Sequence, residues 1–311
     1  MSFSSITVQI LIFYRCLALK KFRFNRKCFF SLAIAIIIAG QVTAESIDFT
    51  FTAIPDQDTV DLQERFSKIA NYLTSQLGRP VKYVPVKSYS ASVQAFKNNQ
   101  VQLAWFGGLS GVQARLAVPN SRAIAQGKDD PNFMTYFIAN TATNLSFTEH
   151  FPTGIVGKTF TFGSKSSTSG RLMPEYFIRQ SLQKEPRLIF KRVGYSGDHT
   201  KTLELVQSGS YEIGAINYKV WQKAVLNGKV DSKRVQVIWR TPTYPDYNWT
   251  IRDDVDQTYG EGFSQKIQQA LIQLTDPEIL ASFPRAGFIP ADNSMFQTIL
   301  DTAVDVGIIR Q

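Results

Sequence analysis

Two stretches decide how the chain folds: VKYVPVKSYSASVQAFKNNQVQLAWF at residues 81–106 and LIFKRVGYSGDHTKTLELVQSGSYEIGAIN at residues 188–217. In the first, an apolar run at 81–86 reads as a strand, Lys87-Ser88-Tyr89 as a polar loop, the segment through Val93 and Phe96 as a helix, and 101–106 as a second strand. In the other, 188–193 is the strand, 194–199 the loop, 202–206 the helix and 212–216 the strand. Strand, helix, strand in that order predicts parallel strands with helices packed on the sheet faces. One βαβ design used twice predicts two similar lobes.

The flanking sequence extends the pattern. Residues 47–53 read as a strand, and Leu62, Phe66, Ile69, Ala70, Leu73 and Leu77 then recur at helical spacing until Gly78-Arg79-Pro80 ends the helix. The expected fold is an α/β chain of two mixed-sheet lobes joined by a two-segment hinge. Lobe 1 is placed at 45–140 plus 248–311 and lobe 2 at 141–247. The crossings fall near 136–143 and 243–251, where Pro242 and Pro245 interrupt regular structure. Helices around 263–274 and 295–304 then return to lobe 1. A single large α/β domain is the competing division.

Of the 311 residues, 44% are hydrophobic, 13% aromatic and 19% charged, a globular composition. The formal charge of +9 sits mostly at the front. Residues 1–44 hold Arg15, Lys20, Lys21, Arg23, Arg26 and Lys27 and no acidic residue, which leaves 28 basic against 25 acidic side chains, or +3, on the remainder. A nucleic-acid partner is therefore not expected. The front segment has the three parts of a secretory signal: a basic stretch at 20–27, an apolar stretch at 29–39, and Val42-Thr43-Ala44 as a small-residue cleavage site. Its apolar core falls short of the roughly 20 residues that span a bilayer, so residues 1–44 are read as a cleaved signal peptide rather than a retained anchor. Cys16 and Cys28 both precede that core, so the chain from Glu45 onward has no cysteine. Disulfides, thiolate metal sites and cysteine nucleophiles are excluded together.

The densest polar cluster is Gly163-Ser164-Lys165-Ser166-Ser167-Thr168-Ser169-Gly170, between an apolar strand at 159–162 and a helix through Leu172, Tyr176 and Ile178. A strand-loop-helix junction offers free backbone N–H groups and the positive end of a helix dipole, which suits an oxyanion. A helix cap needs one hydroxyl and this loop supplies five. The Gly-Lys-Ser/Thr ending of a P-loop is missing. By the internal repeat, His199 occupies in the second lobe the loop position that Tyr89 occupies in the first. Loops at the carboxyl ends of parallel strands face the crevice where such folds bind ligands. Asn217 ends the repeat strand where Trp105-Phe106-Gly107-Gly108 ends the first, and those aromatics suit either core or cleft wall. Tyr244, Asp246, Tyr247 and Trp249 in the return segment either close the cleft or stiffen the hinge. No catalytic set assembles, since HExxH, GxSxG and a usable carboxylate pair are all missing. Binding without turnover, without a metal and without a cofactor is the expectation.

With these residues in view, the chain resembles the periplasmic binding proteins of ABC importers for phosphonate, phosphite and phosphate. The resemblance rests on Ile54-Pro55-Asp56, Tyr89, Ala104-Trp105-Phe106-Gly107, the turn Ser167-Thr168-Ser169-Gly170, and the 197–199 loop followed by Leu205-Val206. It implies a type II bilobal binding fold, a periplasmic location, an oxyanion ligand, no catalysis, and transmembrane permease subunits as partners of a monomer. It also implies that Ser167, Thr168 and Ser169 hold the oxyanion at a helix N-terminus, that Tyr89 and Tyr136 are the cleft tyrosines, and that His199 is the cleft histidine. Family positions that hold a ligand amine fall near Asn217 and Asp246. A neutral Asn217 speaks against an aminoalkyl ligand, and WFGGLSGVQAR at 105–115 is similar to a subgroup of selenate binders. An exported enzyme or a receptor-associated ligand sensor on the same scaffold is the alternative from another class. If Asp246 lies in the cleft, the ligand must bring a proton to it, as hydrogen phosphite does and ionised selenate does not.

Overall fold

The computed structural model describes residues 48–310, and the expected signal peptide at 1–44 lies outside them. In chain order the elements are β1 (Phe49–Ala53), α1 (Thr59–Leu77), β2 (Val81–Tyr83), α2 (Tyr89–Lys97), β3 (Leu103–Phe106), α3 (Gly108–Ala117), β4 (Arg122–Gly127) and β5 (Thr135–Asn140). Then follow β6 (Thr159–Phe162), α4 (Met173–Leu182), α5 (Pro186–Ile189), β7 (Arg192–Tyr195), α6 (His199–Gln207), β8 (Ile213–Asn217), α7 (Tyr218–Leu226) and β9 (Val235–Arg240). The chain ends with β10 (Asn248–Ile251), α8 (Val255–Tyr259), α9 (Phe263–Ile272), α10 (Pro277–Ser282), β11 (Phe288–Pro290) and α11 (Gln297–Asp305). The described residues belong to one compact unit that starts at Ile47.

Helix α1 shows why these segments adopt these shapes. The Asp58 carboxylate accepts from the Asp61 N–H at its start, Leu62, Phe66, Ile69, Ala70 and Leu73 form its buried stripe, and Gly78 ends it at φ 63°, a conformation only glycine enters cheaply. The stripe packs on a sheet of six strands in the order β11-β4-β10-β3-β1-β2. Strand β1 runs parallel to β2 and β3, and the later β10 and β11 add antiparallel. The core here is aromatic: Phe51, Phe66, Trp105, Trp249 and Phe283 make edge and tilted contacts at 5.2–6.4 Å. Burying each such ring contributes on the order of 2–3 kcal/mol. Trp105 and Phe106 thus take the core reading of the two open to them.

A second sheet of five strands has the order β7-β6-β8-β5-β9, with β6 parallel to β7 and β8, and β5 antiparallel to β8 and β9. Its own core gathers Phe137, Phe160, Phe162, Ile178 and Trp239. Two expectations need correcting. Strand β5 belongs to this second sheet, so the first crossing lies between Gly127 and Thr135 and ahead of the expected boundary at 140. Its sequence marks it as a strand, but its partners β8 and β9 are distant in the chain, and nothing local names them. The stretch at 188–193 is not one strand either. Pro186 starts a helical turn that leaves Leu188 69% exposed, and the strand begins only at Arg192.

The two crossing segments run side by side. Phe133 and Tyr244 exchange backbone hydrogen bonds of 2.9 and 3.0 Å, and the Asp246 N–H donates to the Asp130 carbonyl at 3.0 Å. Asp130 is in turn clamped by Arg285, whose Nε lies 2.9 and 3.0 Å from its two carboxylate oxygens. Among the described residues, no helix is long and apolar enough to cross a membrane.

Candidate functional site

The twofold design places equivalent residues at equivalent helix starts. Tyr89 is the first residue of α2, behind the Ser88 cap, and His199 is the first residue of α6, behind the Asp198 cap. Gly108 opens α3, Asn217 caps α7, and Thr168 opens a turn that runs into α4. That turn, Thr168–Leu172, is wound wider than an α-helix: the Leu172 N–H reaches back five residues to the Ser167 carbonyl at 3.0 Å. Such π turns recur at functional sites. The residues expected from sequence at these starts are almost fully buried, with Tyr89, Thr168 and Ser169 each 1% exposed, Ser167 and Asn217 2%, and His199 0%.

Direct contacts join the start of α3 to the turn of the second sheet and to the crossing segment. The Leu109 N–H donates to Thr168 Oγ1 at 3.0 Å, and the Gly108 N–H donates to Asp246 Oδ1 at 2.8 Å. The Thr168 hydroxyl also favours the charged form of the Asp246 carboxyl. The backbones approach so closely that a Cβ on Gly107 would lie 3.2 Å from both Asp246 Oδ1 and Thr168 Oγ1. On the other side, His199 Nδ1 accepts from the Asn217 N–H at 3.3 Å, which puts the ring proton on Nε2, 3.5 Å from Ser169 Oγ.

The electrostatics follow from this burial. Desolvation depresses the His199 imidazole to about 4, even though Asp56 pulls the other way, so the ring is neutral at pH 7. Desolvation raises the Asp246 carboxyl to about 7 against the bonds from Gly108 and Thr168, and Asp130 adds to the rise. Tyr89 is held well above its ordinary value by desolvation and then by Asp56. The nearby buried guanidiniums already face carboxylates: Arg285 clamps Asp130, and Arg65 Nη1 lies 3.9 Å from Asp56 Oδ1. An anion here is therefore met by neutral donors and helix N-termini rather than by a spare cation. Two polar atoms at this site, Tyr89 Oη and Asp246 Oδ2, are fully buried without a hydrogen-bond partner among the described residues.

Residues 51–296 match the family model of the periplasmic substrate-binding protein of phosphonate ABC transporters. The chain belongs to this family. A probable ABC transporter phosphite binding protein, PhnD1 of Prochlorococcus marinus (strain MIT 9301), is 37% identical over 265 residues, 83% of this chain and 89% of that protein. The structure of that PhnD1 in complex with methylphosphonate aligns with a TM-score of 0.80, covering 84% of this chain and 99% of the other. A binding protein component of an ABC phosphonate transporter from Pseudomonas aeruginosa aligns with a TM-score of 0.74 at 19% identity, over 84% and 87% of the two chains, a likeness of fold. These relatives make the architecture that of bilobal periplasmic binding proteins, with each sheet the centre of one lobe.

Within this family member, the structure brings together Ser167, Thr168, Ser169, Tyr89, His199, Asn217 and Asp246. Tyr136 stands apart. It packs 6.0 Å from the Tyr218 ring under Arg240 and lines a surface cavity of about 460 Å³ with Trp221 and Leu226. Its neighbour Thr135 faces the turn instead, donating to the Ser169 carbonyl at 2.7 Å and meeting the Tyr244 hydroxyl at 2.5 Å. Alternation along β5 makes only one of the two available. Asn217 is already engaged: its Oδ1 accepts from the Lys219 and Val220 N–H groups, and its Nδ2 donates to the Tyr247 hydroxyl at 2.9 Å. Sequence reading left Tyr247 between closing the cleft and stiffening the hinge, and named Asp56 only among the residues of the resemblance. The Tyr247 hydroxyl donates to Asp56 Oδ2 at 2.8 Å across 191 residues of chain. The one local signal for Asp56 was its place in the loop that follows β1.

Proposed function

We propose that the chain is the solute-binding component of an ABC importer. It captures a small phosphorus oxyanion of the phosphite or methylphosphonate type between its two lobes and presents the closed form to a membrane permease. The observation that carries this reading is the pair of buried, unpartnered atoms, Tyr89 Oη and Asp246 Oδ2, beside the Ser167–Ser169 turn. A ligand with both a bare and a protonated oxygen satisfies the two together, because the phenol donates and the carboxylate accepts. Ser167 Oγ accepts from the Gly170 N–H at 2.9 Å, which leaves its proton free for the ligand, as is that of Ser169. His199 Nε2–H orients Ser169. The ligand preference is supported by what PhnD1 of Prochlorococcus marinus binds.

Asp246 Oδ2 and an anion oxygen cannot meet bare, for the same reason that two carboxylates sharing a site cannot both ionise. At least one proton lies between them in the complex. A phosphorus monoanion brings it, whereas sulfate or selenate must draw it from the acid form of Asp246. With Asp246 committed to the proton on the oxyanion and Asp56 taken by Tyr247 and Arg65, no carboxylate is left for a ligand amine. Binding is therefore expected for phosphite and methylphosphonate, and weaker binding for 2-aminoethylphosphonate.

Calorimetric titration at pH 7 with phosphite, methylphosphonate, 2-aminoethylphosphonate, sulfate and selenate tests the reading. Tight one-to-one binding of a phosphorus oxyanion is the expected result. Preference for selenate, or no binding by any of the five, overturns the assignment. In the Asp246→Asn variant the amide donates where the carboxylate accepted, so phosphorus monoanions lose roughly 10- to 100-fold in affinity while sulfate and selenate gain.

A further inference from the structure

Four residues close a ring of hydrogen bonds between the lobes, behind the anion-binding turn. The Tyr247 hydroxyl donates to Asp56 Oδ2 at 2.8 Å and accepts from Asn217 Nδ2 at 2.9 Å. The Asn217 N–H donates to His199 Nδ1 at 3.3 Å, and the His199 N–H returns to the Asp56 carbonyl at 3.0 Å. Asp56 follows β1 of the first sheet and Tyr247 precedes β10 of the same sheet, whereas Asn217 and His199 belong to the second. The Asn217–Tyr247 and His199–Asp56 bonds therefore exist only while the two sheets hold this relation.

Both sides of the ring are prepared in advance. The Tyr247 ring stacks on Trp105 at 5.4 Å with 24° between planes, lies against Phe133 at 5.3 Å, and has the Arg285 guanidinium 5.1 Å from its centre. Its hydroxyl is aimed by Asp56. Asn217 has its amide orientation set by the two N–H groups of α7 that its Oδ1 caps, so its Nδ2 points one way. His199 links the ring to the turn, because its other ring nitrogen faces Ser169 and its Cε1 lies 3.1 Å from where a Gly170 Cβ would stand.

We propose that Tyr247 is a positioning residue that locks the closed form: its hydroxyl, held by Asp56 on the first lobe, receives Asn217 of the second lobe when the ligand draws the turn inward. The proposal rests on the functional reading above, since it needs a ligand that closes the lobes. Tyr247 touches no ligand atom in this account. Its removal weakens closure-dependent retention without altering which ligand is preferred.

The test uses the exported chain from Glu45, which has no cysteine, with spin labels on cysteines introduced at Val60 and Leu226, which are 77% and 85% exposed and lie in α1 and α7. Inter-label distances and methylphosphonate affinity are measured for the labelled wild type, Tyr247→Phe, Asn217→Ser and the double variant. Serine keeps the cap of α7 while losing the reach to Tyr247. The expected result is that methylphosphonate shifts the wild type to the short distance. Each single variant shows a smaller short-distance fraction and about tenfold weaker binding through faster release, and the double variant is no worse than the weaker single. The ratio of phosphite to methylphosphonate affinity stays unchanged, and the two effects add in thermal unfolding without ligand. Tyr247→Phe closing and binding like the wild type overturns the lock alone, as does equal coupling in unfolding without ligand. A wild type that binds no phosphorus oxyanion overturns the functional reading and the proposal with it.

Discussion

At residue scale, two buried titratable groups pull the stability of the protein in opposite pH directions. The His199 ring titrates at about 4 when folded and near its ordinary 6.5 when unfolded. Its stabilising contribution is complete above pH 6.5 and is lost as pH falls through 4, about 3 kcal/mol in all. Asp246 is the reverse: a folded value of about 7 against 3.8 means that its contribution is complete below pH 3.8 and is lost as pH rises through 7. The two windows overlap and their slopes cancel, so thermal melts without ligand are expected to be nearly flat between pH 4 and 6.5. His199→Gln leaves the Asp246 slope alone, so its stability falls as pH rises from 4 to 7, and Asp246→Asn leaves the His199 slope alone, so its stability rises from pH 4 to 6.5; a variant curve parallel to the wild type removes that group from the explanation. Gly107 makes a different prediction. A methyl there presses on Asp246 Oδ1 and Thr168 Oγ1 at 3.2 Å, one on each side of the cleft, so Gly107→Ala weakens ligand binding about tenfold while melting near the wild-type temperature without ligand. Equal affinity in the variant means that the backbones need not come this close.

At the scale of elements, the site is a meeting of helix starts, and this is the part that sequence made legible. The repeat of 81–106 at 188–217 predicted that Tyr89 and His199 are equivalent, and both open nine-residue helices with buried side chains. The Ser-Thr-Ser turn was visible because a cap does not need that many hydroxyls. Tyr136 shows where such reading stops. One residue decides which face of a strand a side chain takes, and the resemblance named Tyr136 when Thr135 is the one that meets the turn. The partnership of Asp56 with Tyr247 was illegible for another reason: no spacing rule connects residues 191 apart, and only the crossing of two segments brings them together. Sheet membership of β5 is a third case, since it is set by pairing with β8 and β9 and not by its own composition. An element-scale contact outside the site also bears on closure. Lys223 of α7 reaches Asp61 of α1 at 2.8 Å, with the two side chains 28% and 30% exposed. A pair of this exposure contributes roughly 0.2–1 kcal/mol, so Lys223→Ala raises the ligand dissociation rate about 1.4- to fivefold at low salt. The difference disappears in high salt, where the wild type is screened to match the variant. A larger, salt-independent effect means that Lys223 acts by packing.

At the scale of the whole molecule, two sheets are joined by a pair of hydrogen-bonded crossing segments, and the candidate ligand atoms are drawn from both sheets and from the crossing itself. Such an arrangement converts anion capture into a change of shape, because the donors are complete only when the lobes meet. In the proposed reading the charge of the ligand is met by helix N-termini and neutral donors without a spare buried cation, and Asp246 makes proton count part of recognition. Above pH 8 both Asp246 and a phosphorus ligand have lost the proton that their contact requires, so affinity falls about tenfold per pH unit. The most direct test of this account is the proton stoichiometry of methylphosphonate binding at pH 8.5, obtained by calorimetry in two buffers of different ionisation enthalpy. Uptake of about one proton per ligand is expected for the wild type and close to none for Asp246→Asn. Binding by the wild type without proton uptake would contradict it and place Asp246 outside the ligand's reach.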